Sequence, residues 1–312
     1  MLPPYPIIDI SNFQFSDNEQ LGSKKKSWFI DPDGNEFLFK SIMSLDKNNI
    51  VQKREGEDWA EKITSELANV LQLPSAQYDL AIYKGERGVI SKNFLREACD
   101  NPDEYELIQL ILGNELIENP QRHYKNQPIS RVHGVMRQII KNKPLKHDSF
   151  TNIKKASDFF TGYLMFDVLI SNQDRHCENW GLIQTAQGTN HLAPSFDHAA
   201  SLGRSENSSK RKRILYGNDP RITMEKYVTK AKSYFSRNNI RCTLMEAYLY
   251  FAQKNKKAAI AWGEKLNAIN INTIKNIVMR VPQSIMDDLE KEFTIELLRT
   301  NKARILKEIE YL

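Results

Sequence analysis

The run Asn172-Gln173-Asp174-Arg175-His176-Cys177-Glu178-Asn179, followed by Ser195-Phe196-Asp197-His198, decides how this chain is read. It places an Asp, an Asn five residues later and a second Asp eighteen residues beyond that in one short region. Ahead of it, residues 150–170 carry Phe159, Phe160, Tyr163, Leu164, Phe166, Val168, Leu169 and Ile170. They cover nearly every side of a helix, which predicts a place at the centre of a large lobe. Between the two halves, Leu182-Ile183 and His191-Leu192 flank Gln187-Gly188, a predicted hairpin.

Taken singly, these residues have ordinary readings. An Asp after a helix can serve as a turn residue that bonds its own backbone. Asn179 and Asp197 change the meaning of Asp174. Magnesium takes hard oxygen ligands and needs few from protein when substrate phosphates supply the rest. Asn179 and Asp197 supply that number, and Asp174 remains for an acceptor hydroxyl. This is the set that phosphoryl transfer from ATP requires. His176 either orients the loop or is a satisfied turn residue; a loop that must hold an Asp still favours the first. His198 is not expected to bind metal, because adjacent side chains generally point apart.

Working outward, the N-terminal part reads as strand, helix, strand. Trp28-Phe29-Ile30 and residues 36–42 flank Asp31-Pro32-Asp33-Gly34, a hairpin signal. Lys40 shares a strand face with Leu38 and Ile42. Trp59, Ile63, Leu67, Val70 and Leu71 form a helical stripe, with Asp58 as expected N-cap and Glu61 completing a capping box. Tyr78, Leu80 and Ile82 alternate as a strand. Alone, Lys40 is a snorkelling lysine and Glu61 a charge suited to a helix start. Together, they match the strand Lys and helix Glu that kinases pair to hold ATP phosphates.

Gly22-Ser23-Lys24-Lys25-Lys26-Ser27 lies where a phosphate-covering loop belongs, with one Gly rather than three. Its lysines are a solvated charge run or, on the sharper reading, phosphate contacts. Farther on, Asn101-Pro102 is expected to cap a helix running to Leu112. Residues 205–213 read as a polar, basic, mobile loop without the aromatics of a nucleic-acid site. Beyond Thr223 only helices are expected. The fold class is therefore α+β, a bilobal kinase-like fold. A small β-rich lobe, residues 1–95, precedes a mainly helical lobe, residues 96–312.

Bulk properties bound this reading. The 312 residues are 40% hydrophobic and 27% charged, as in ordinary soluble globular proteins. A net charge of +5 suits a polyanionic ligand without requiring one. Cys99, Cys177 and Cys242 are far apart, which argues against a disulfide framework and for a reducing compartment. There is no membrane-length apolar run and no signal-peptide pattern. A cytoplasmic location is expected, with delivery to a host by a route that needs no cleaved signal left open.

Asn172-x-Asp174-x-His176-x-x-Asn179 followed by Pro194-Ser195-Phe196-Asp197 resembles the HipA-like serine/threonine kinases. Further similarity lies in residues 57–61 through Leu73-Pro74, Gly88-Val89-Ile90-Ser91-x-Asn93-Phe94, Leu112-Gly113-Asn114-Glu115 and residues 195–203, so it extends over residues 20–305. The resemblance implies Asp174 as catalytic aspartate, Asn179 and Asp197 as magnesium ligands, and Lys40 with Glu61 as the ATP lysine and its partner. It makes residues 22–27 the phosphate loop, in which Ser23 or Ser27 is the candidate for silencing autophosphorylation. Adenine would meet the chain near Val89 to Phe94, by position. So little precedes Gly22 that the resemblance is to short members, like the toxin kinase of three-gene HipBST-type systems.

By that resemblance the chain is a toxin kinase that acts on a translation component such as an aminoacyl-tRNA synthetase. It would have antitoxin partners, ATP and Mg²⁺ as cofactors, and no direct contact with nucleic acid or membrane. The alternatives are a kinase of the same fold acting on a lipid, small molecule or host protein, and a catalytically silent nucleotide-binding module. A metal-dependent hydrolase built on Asp174, His176 and Asp197 is a fourth.

Overall fold

The computed structural model describes residues 2–18, 26–45, 50–99, 102–117 and 127–312. Its N-terminal part is sheet-rich and its C-terminal part helical. The strands are β1 (Ile7–Asp9), β2 (Gln14–Asn18), β3 (Lys26–Ile30), β4 (Glu36–Ser41), β5 (Met43–Leu45) and β6 (Val51–Lys53). Helix α1 (Glu57–Leu71) follows, then β7 (Tyr78–Tyr83) and β8 (Glu86–Lys92). Six of these form one sheet in the order β1-β7-β8-β4-β3-β2, with β5 and β6 paired apart. The sheet is antiparallel except where β1 runs parallel to β7.

Period-two alternation gives the sheet two uses. Phe29, Phe39, Ala81 and Ile90 bury one face with Ile10. Leu80 and Val89 face α1, whose Trp59, Ile63 and Leu67 join the main core. The helix starts two residues earlier than a cap at Asp58 would have it, with Gly56 in the cap position, so Asp58 is not its cap. Gly56, at φ 82°, turns the chain in a left-handed conformation that glycine adopts without strain. Asp58 instead lies in the first turn, 2.7 Å from Arg87 Nη2, where burial and a charged partner compete successfully for its carboxylate.

Helix α2 (Phe94–Ala98) and a 3₁₀ turn (Pro102–Leu107) lead to β9 (Gln109–Leu112) and α3 (Gly113–Leu116). The expected helix to Leu112 is therefore a turn and a strand, and Asn101 lies outside the described residues. The strand forms because the backbone of β9 is taken up by β11 (below), with Ile111 opposite Leu182. Next come β10 (Gln127–Pro128), α4 (Ile129–Val135) continued by a π turn to Ile140, and α5 (Ala156–Ile170). Every residue of α5 except Asp158 is buried, as its all-round apolarity predicts. Strands β11 (Gly181–Gln184) and β12 (Asn190–Leu192) form the expected hairpin.

Two corrections fall beyond residue 200. Residues 208–216 are helix α6 (Ser208–Tyr216), not a mobile loop. Asn207 caps it, and Arg211 is buried against Glu290 at 3.0 Å, so the basic run has an interior partner. After α7 (Met224–Thr229), β13 (Lys232–Arg237) and β14 (Ile240–Thr243) interrupt the helices. Asn238 and Asn239 both have positive φ, 51° and 62°, and join the strands as a two-residue turn. That turn favours Asn and matches strand twist. Helices α8 (Leu244–Lys254), α9 (Lys256–Ala268), α10 (Ile271–Met279) and α11 (Asp288–Ile309) complete the chain, with α8, α9 and α11 packed against α5. No helix among the described residues is long and apolar enough to cross a membrane.

Candidate active site

Lys40, near the end of β4, is brought to Glu61 of α1 at 3.1 Å and donates to the Tyr78 hydroxyl at 2.8 Å. Its third neighbour is Asp197, whose Oδ1 lies 3.8 Å away. Burial opposes the charge on Lys40, but the Asp197 and Glu61 carboxylates outweigh it and hold its pKa well above the ordinary lysine value. The lysine is thus a fixed cation. Glu61 is fixed from the other side as well, since its Oε2 accepts the backbone N–H of His198 at 2.9 Å. The two sequence halves are joined here by direct contact.

Asp197 lies in the turn after β12 with φ 56°, a left-handed conformation that costs a non-glycine residue energy. The segment before it is anchored to the residues following α1. Ser195 and Ala76 donate backbone N–H groups to Pro74 and Ser195 carbonyls, each at 2.9 Å. Lys26 of β3, directly across the ladder from Lys40, brings its Nζ to 3.8 Å from Asp197 Oδ2. Of the three predicted loop lysines, Lys26 therefore reaches the site. Lys24, Lys25, Gly22 and Ser23 lie outside the described residues. Ser27 is buried in β3, its hydroxyl donating to Asn18 at 3.0 Å.

Asp174 and Asn179 lie on the loop between α5 and β11. Asn172 accepts the backbone N–H of Asp174 at 3.1 Å, and Asn179 donates its amide to the Asp174 carbonyl at 2.7 Å. The loop is held from beneath by Arg175, only 2% exposed. Its guanidinium meets both oxygens of Asp167 at 2.5 and 2.7 Å, the Asn179 carbonyl at 3.1 Å and the Ser195 hydroxyl at 2.9 Å. A bidentate Arg–carboxylate pair is the strongest such contact, and this one ties both motif segments to α5. His176 lies higher, beside Glu178 and edge-on to Tyr234 at 5.7 Å.

Sequence reasoning passed over Arg175 and Tyr78. Arg175 left a trace: Asp167 is an acid inside an apolar helix, and a buried carboxylate demands a partner. Tyr78 left none beyond strand alternation. His198 is buried beside Ser195, ring nitrogen to hydroxyl 2.7 Å, with its pKa far below the ordinary value because burial and Arg175 disfavour its cation. It supports Glu61 through its backbone. Phe94 stacks on Phe196 at 5.9 Å, joining the exit of β8 to the Asp197 segment.

The donor set fits magnesium. Asn179 spends its amide nitrogen on Asp174, and its oxygen has no hydrogen bond among the described residues. Among those residues no three His, Cys, Asp or Glu side chains form a self-sufficient metal site. An ion held by Asn179 and Asp197 would take its other ligands from phosphate and water, as magnesium does.

Residues 20–262 match the model of the HipA-like C-terminal domain. The chain is 24% identical over 251 residues to the serine/threonine-protein kinase CtkA of Helicobacter pylori strain J99, covering 80% of this chain and 70% of that protein. The crystal structure of the H. pylori proinflammatory kinase CtkA superposes with a TM-score of 0.70 at 18% identity, covering 98% of this chain and 99% of that one. HipA of Shewanella oneidensis MR-1, solved with HipB and operator DNA, gives 0.56 at 12% identity over 99% of this chain and 70% of its own. The chain therefore belongs to the HipA-like family of serine/threonine kinases, its residues 20–262 forming the HipA-like C-terminal domain.

Proposed function

We propose that the chain transfers the γ-phosphoryl group of ATP to a serine or threonine of a protein, and that Asp174 receives the acceptor's proton. The observation that carries this is the contact of Lys40 with both Glu61 and Asp197, which assembles a phosphate-binding cation beside a magnesium-type carboxylate. Lys40 and Lys26 would bind phosphate oxygens. Asn179 and Asp197 would hold Mg²⁺, which when bound neutralises charge on the phosphates. Asp174 orients the hydroxyl and takes its proton as the new O–P bond forms and the bond to the ADP oxygen breaks. Arg175, through Asp167 and Ser195, keeps the carboxylate and the metal ligands in register. Adenine would lie by the segment Val89 to Phe94.

Asp174→Asn keeps the shape and removes the base. Loss of a general base slows turnover by about a hundredfold to ten-thousandfold. Phosphate transfer from labelled ATP should fall by that order while the melting temperature stays near wild type. Unchanged transfer would remove Asp174 from the mechanism.

The membership of HipA in a toxin–antitoxin system supports the further reading of this chain as a toxin kinase. It would be cytoplasmic, would act on a translation component such as an aminoacyl-tRNA synthetase, and would be restrained by antitoxin proteins. Phosphate-loop autophosphorylation would regulate it. Of the two candidates Ser23 is favoured, because the Ser27 hydroxyl is buried in the β2–β3 ladder. The higher TM-score to CtkA favours one second reading, a kinase acting on a host protein. Phosphoproteomes of bacterial and host cells expressing wild type or Asp174→Asn would separate the two.

A further inference from the structure

Next to the catalytic loop lies a cleft of about 350 Å³. Its inner wall includes Ser171 and Gln173, the latter adjacent to Asp174 in the chain. The Gln173 side chain accepts the backbone N–H of Lys232 at 3.1 Å, so the wall is fixed to β13 as well as to the loop. Five cations of one continuous stretch, residues 210–230, line this cleft: Lys210 and Arg213 of α6, Arg221 from the connection that follows, Lys226 of α7 and Lys230 just after it.

The balance of charge is one-sided. Glu206 is the single carboxylate lining the cleft. It is already engaged, by Lys210 at 2.7 Å and by the Tyr227 hydroxyl at 3.1 Å. Arg221 pairs with Asp219 outside the lining. Arg213, Lys226 and Lys230 make no ion pair among the described residues. With Glu206 set against Lys210 and Asp219 against Arg221, three of the five cations remain as the positive excess of the cleft. Scattered surface lysines need no explanation, but cations gathered into one cleft beside a catalytic loop concentrate field where a substrate must approach.

We propose that this cleft binds acidic side chains of the protein substrate, and so selects serines or threonines flanked by Asp or Glu. The inference rests on the kinase reading and names its substrate class. Polypeptide suits the cleft better than nucleic acid. Its lining is partly apolar, through Ile214, Ile222 and Ala231. Its one aromatic ring, Tyr227, already packs edge-on against Phe293 and so offers no stacking platform for bases. An extended peptide advances about 3.4 Å per residue. With its acceptor at Asp174, it would place the residues that flank that acceptor on one side beside Gln173 and the cations.

The test uses the full chain and fluorescein-labelled peptides with one serine, flanked on one side by Asp and Glu, by Asn and Gln, or by Lys. Anisotropy reads binding without requiring turnover. The acidic peptide should bind about tenfold more tightly than the neutral one, and the gap should narrow as salt rises. The triple variant Arg213→Glu/Lys226→Glu/Lys230→Glu should erase the preference, and the milder Lys226→Gln/Lys230→Gln should halve it on a logarithmic scale. Circular dichroism confirms that each variant folds. Equal binding of acidic and neutral peptides, or a preference that survives the triple variant, overturns the proposal. So does a random single-stranded RNA that outcompetes the acidic peptide and loses affinity in the triple variant. Phosphate transfer to the same peptides is scored separately: acidic selectivity without transfer upholds the cleft and refutes the kinase reading, and transfer without selectivity does the reverse.

Discussion

Lys40 has exchanged water for the oxygens of Tyr78, Glu61 and Asp197, and that exchange makes the partners dependent on it. Glu61 is only 1% exposed. Lys40→Met would strand its charge, and a buried pair broken from one side typically costs about 3–5 kcal/mol. Lys40→Met/Glu61→Gln removes both charges yet keeps an acceptor for the His198 N–H. In urea titrations the double variant should be more stable than Lys40→Met alone, although neither binds ATP well. A double variant no more stable than the single one would mean that the pair is not what burial requires there. His133 makes a second prediction. Burial, with the Lys254 and Arg137 cations nearby, lowers its pKa, and its ring lies edge-on to Tyr250 and Phe251. The unfolded imidazole titrates near about 6.5. Below that pH the unfolded state takes up a proton that the folded state refuses, so stability is present above that value and is lost as pH falls. The drop in stability from pH 7.5 to about 5.5 should be smaller in His133→Phe than in wild type. Parallel slopes would show that His133 is not responsible.

Strand β8 pairs with β4 beside Lys40, and at Gly88 the ladder has no room for a side chain. A Cβ on Gly88 would lie 2.3 Å from the Lys40 carbonyl oxygen and 2.8 Å from the Phe39 ring. Gly88→Ala must therefore move backbone, at a cost of about 1–3 kcal/mol. Because the displaced carbonyl belongs to Lys40, ATP affinity should fall along with the melting temperature. A loss of stability with unchanged ATP binding would uncouple the ladder from the site. Such elements differ in how openly the amino-acid sequence declares them. The β3–β4 hairpin, α1, α5 and the β11–β12 hairpin carry their periods and turns in plain view. Lys40, Glu61 and Asp197 are legible because charge at those positions needs a reason. The strands β9 and β13 are not. The first depends on β11, about seventy residues away, and the second on an Asn-Asn turn that lacks the usual glycine. Helix α6 is hidden because its buried Arg211 is neutralised by Glu290 from a distant helix. Arg175 is hidden for the same reason: its importance lies in partners before and after it, and only the folded chain assembles them.

Across the whole molecule, α1 carries Glu61, so any freedom of α1 relative to the helical part would change the site. Tyr5 restrains it. Its ring lies between the Lys62 ammonium of α1, 4.7 Å from the centroid, and the Arg280 guanidinium just past α10, 4.1 Å away. The backbone of the same segment is fixed too: Tyr5 N–H donates to the Arg280 carbonyl at 2.8 Å, and Arg280 Nε to the Pro3 carbonyl at 2.9 Å. Arg87 adds a second link, bonded to Asp58 of α1 and also 3.5 Å from the Ile285 carbonyl. A helix tied at two points to the C-terminal helices should remain engaged without nucleotide, so its amides should exchange nearly as slowly as those of α5. Tyr5→Ala removes two cation–ring contacts, each worth about 0.5–2 kcal/mol, and leaves every group at the ATP site in place. Exchange in α1 should then accelerate by about tenfold or more, with α5 unchanged and ATP slowing α1 again. If exchange in α1 were already fast in the wild type, or indifferent to Tyr5→Ala, the N-terminal segment would not be a restraint on Glu61, and nucleotide itself would have to bring the helix in.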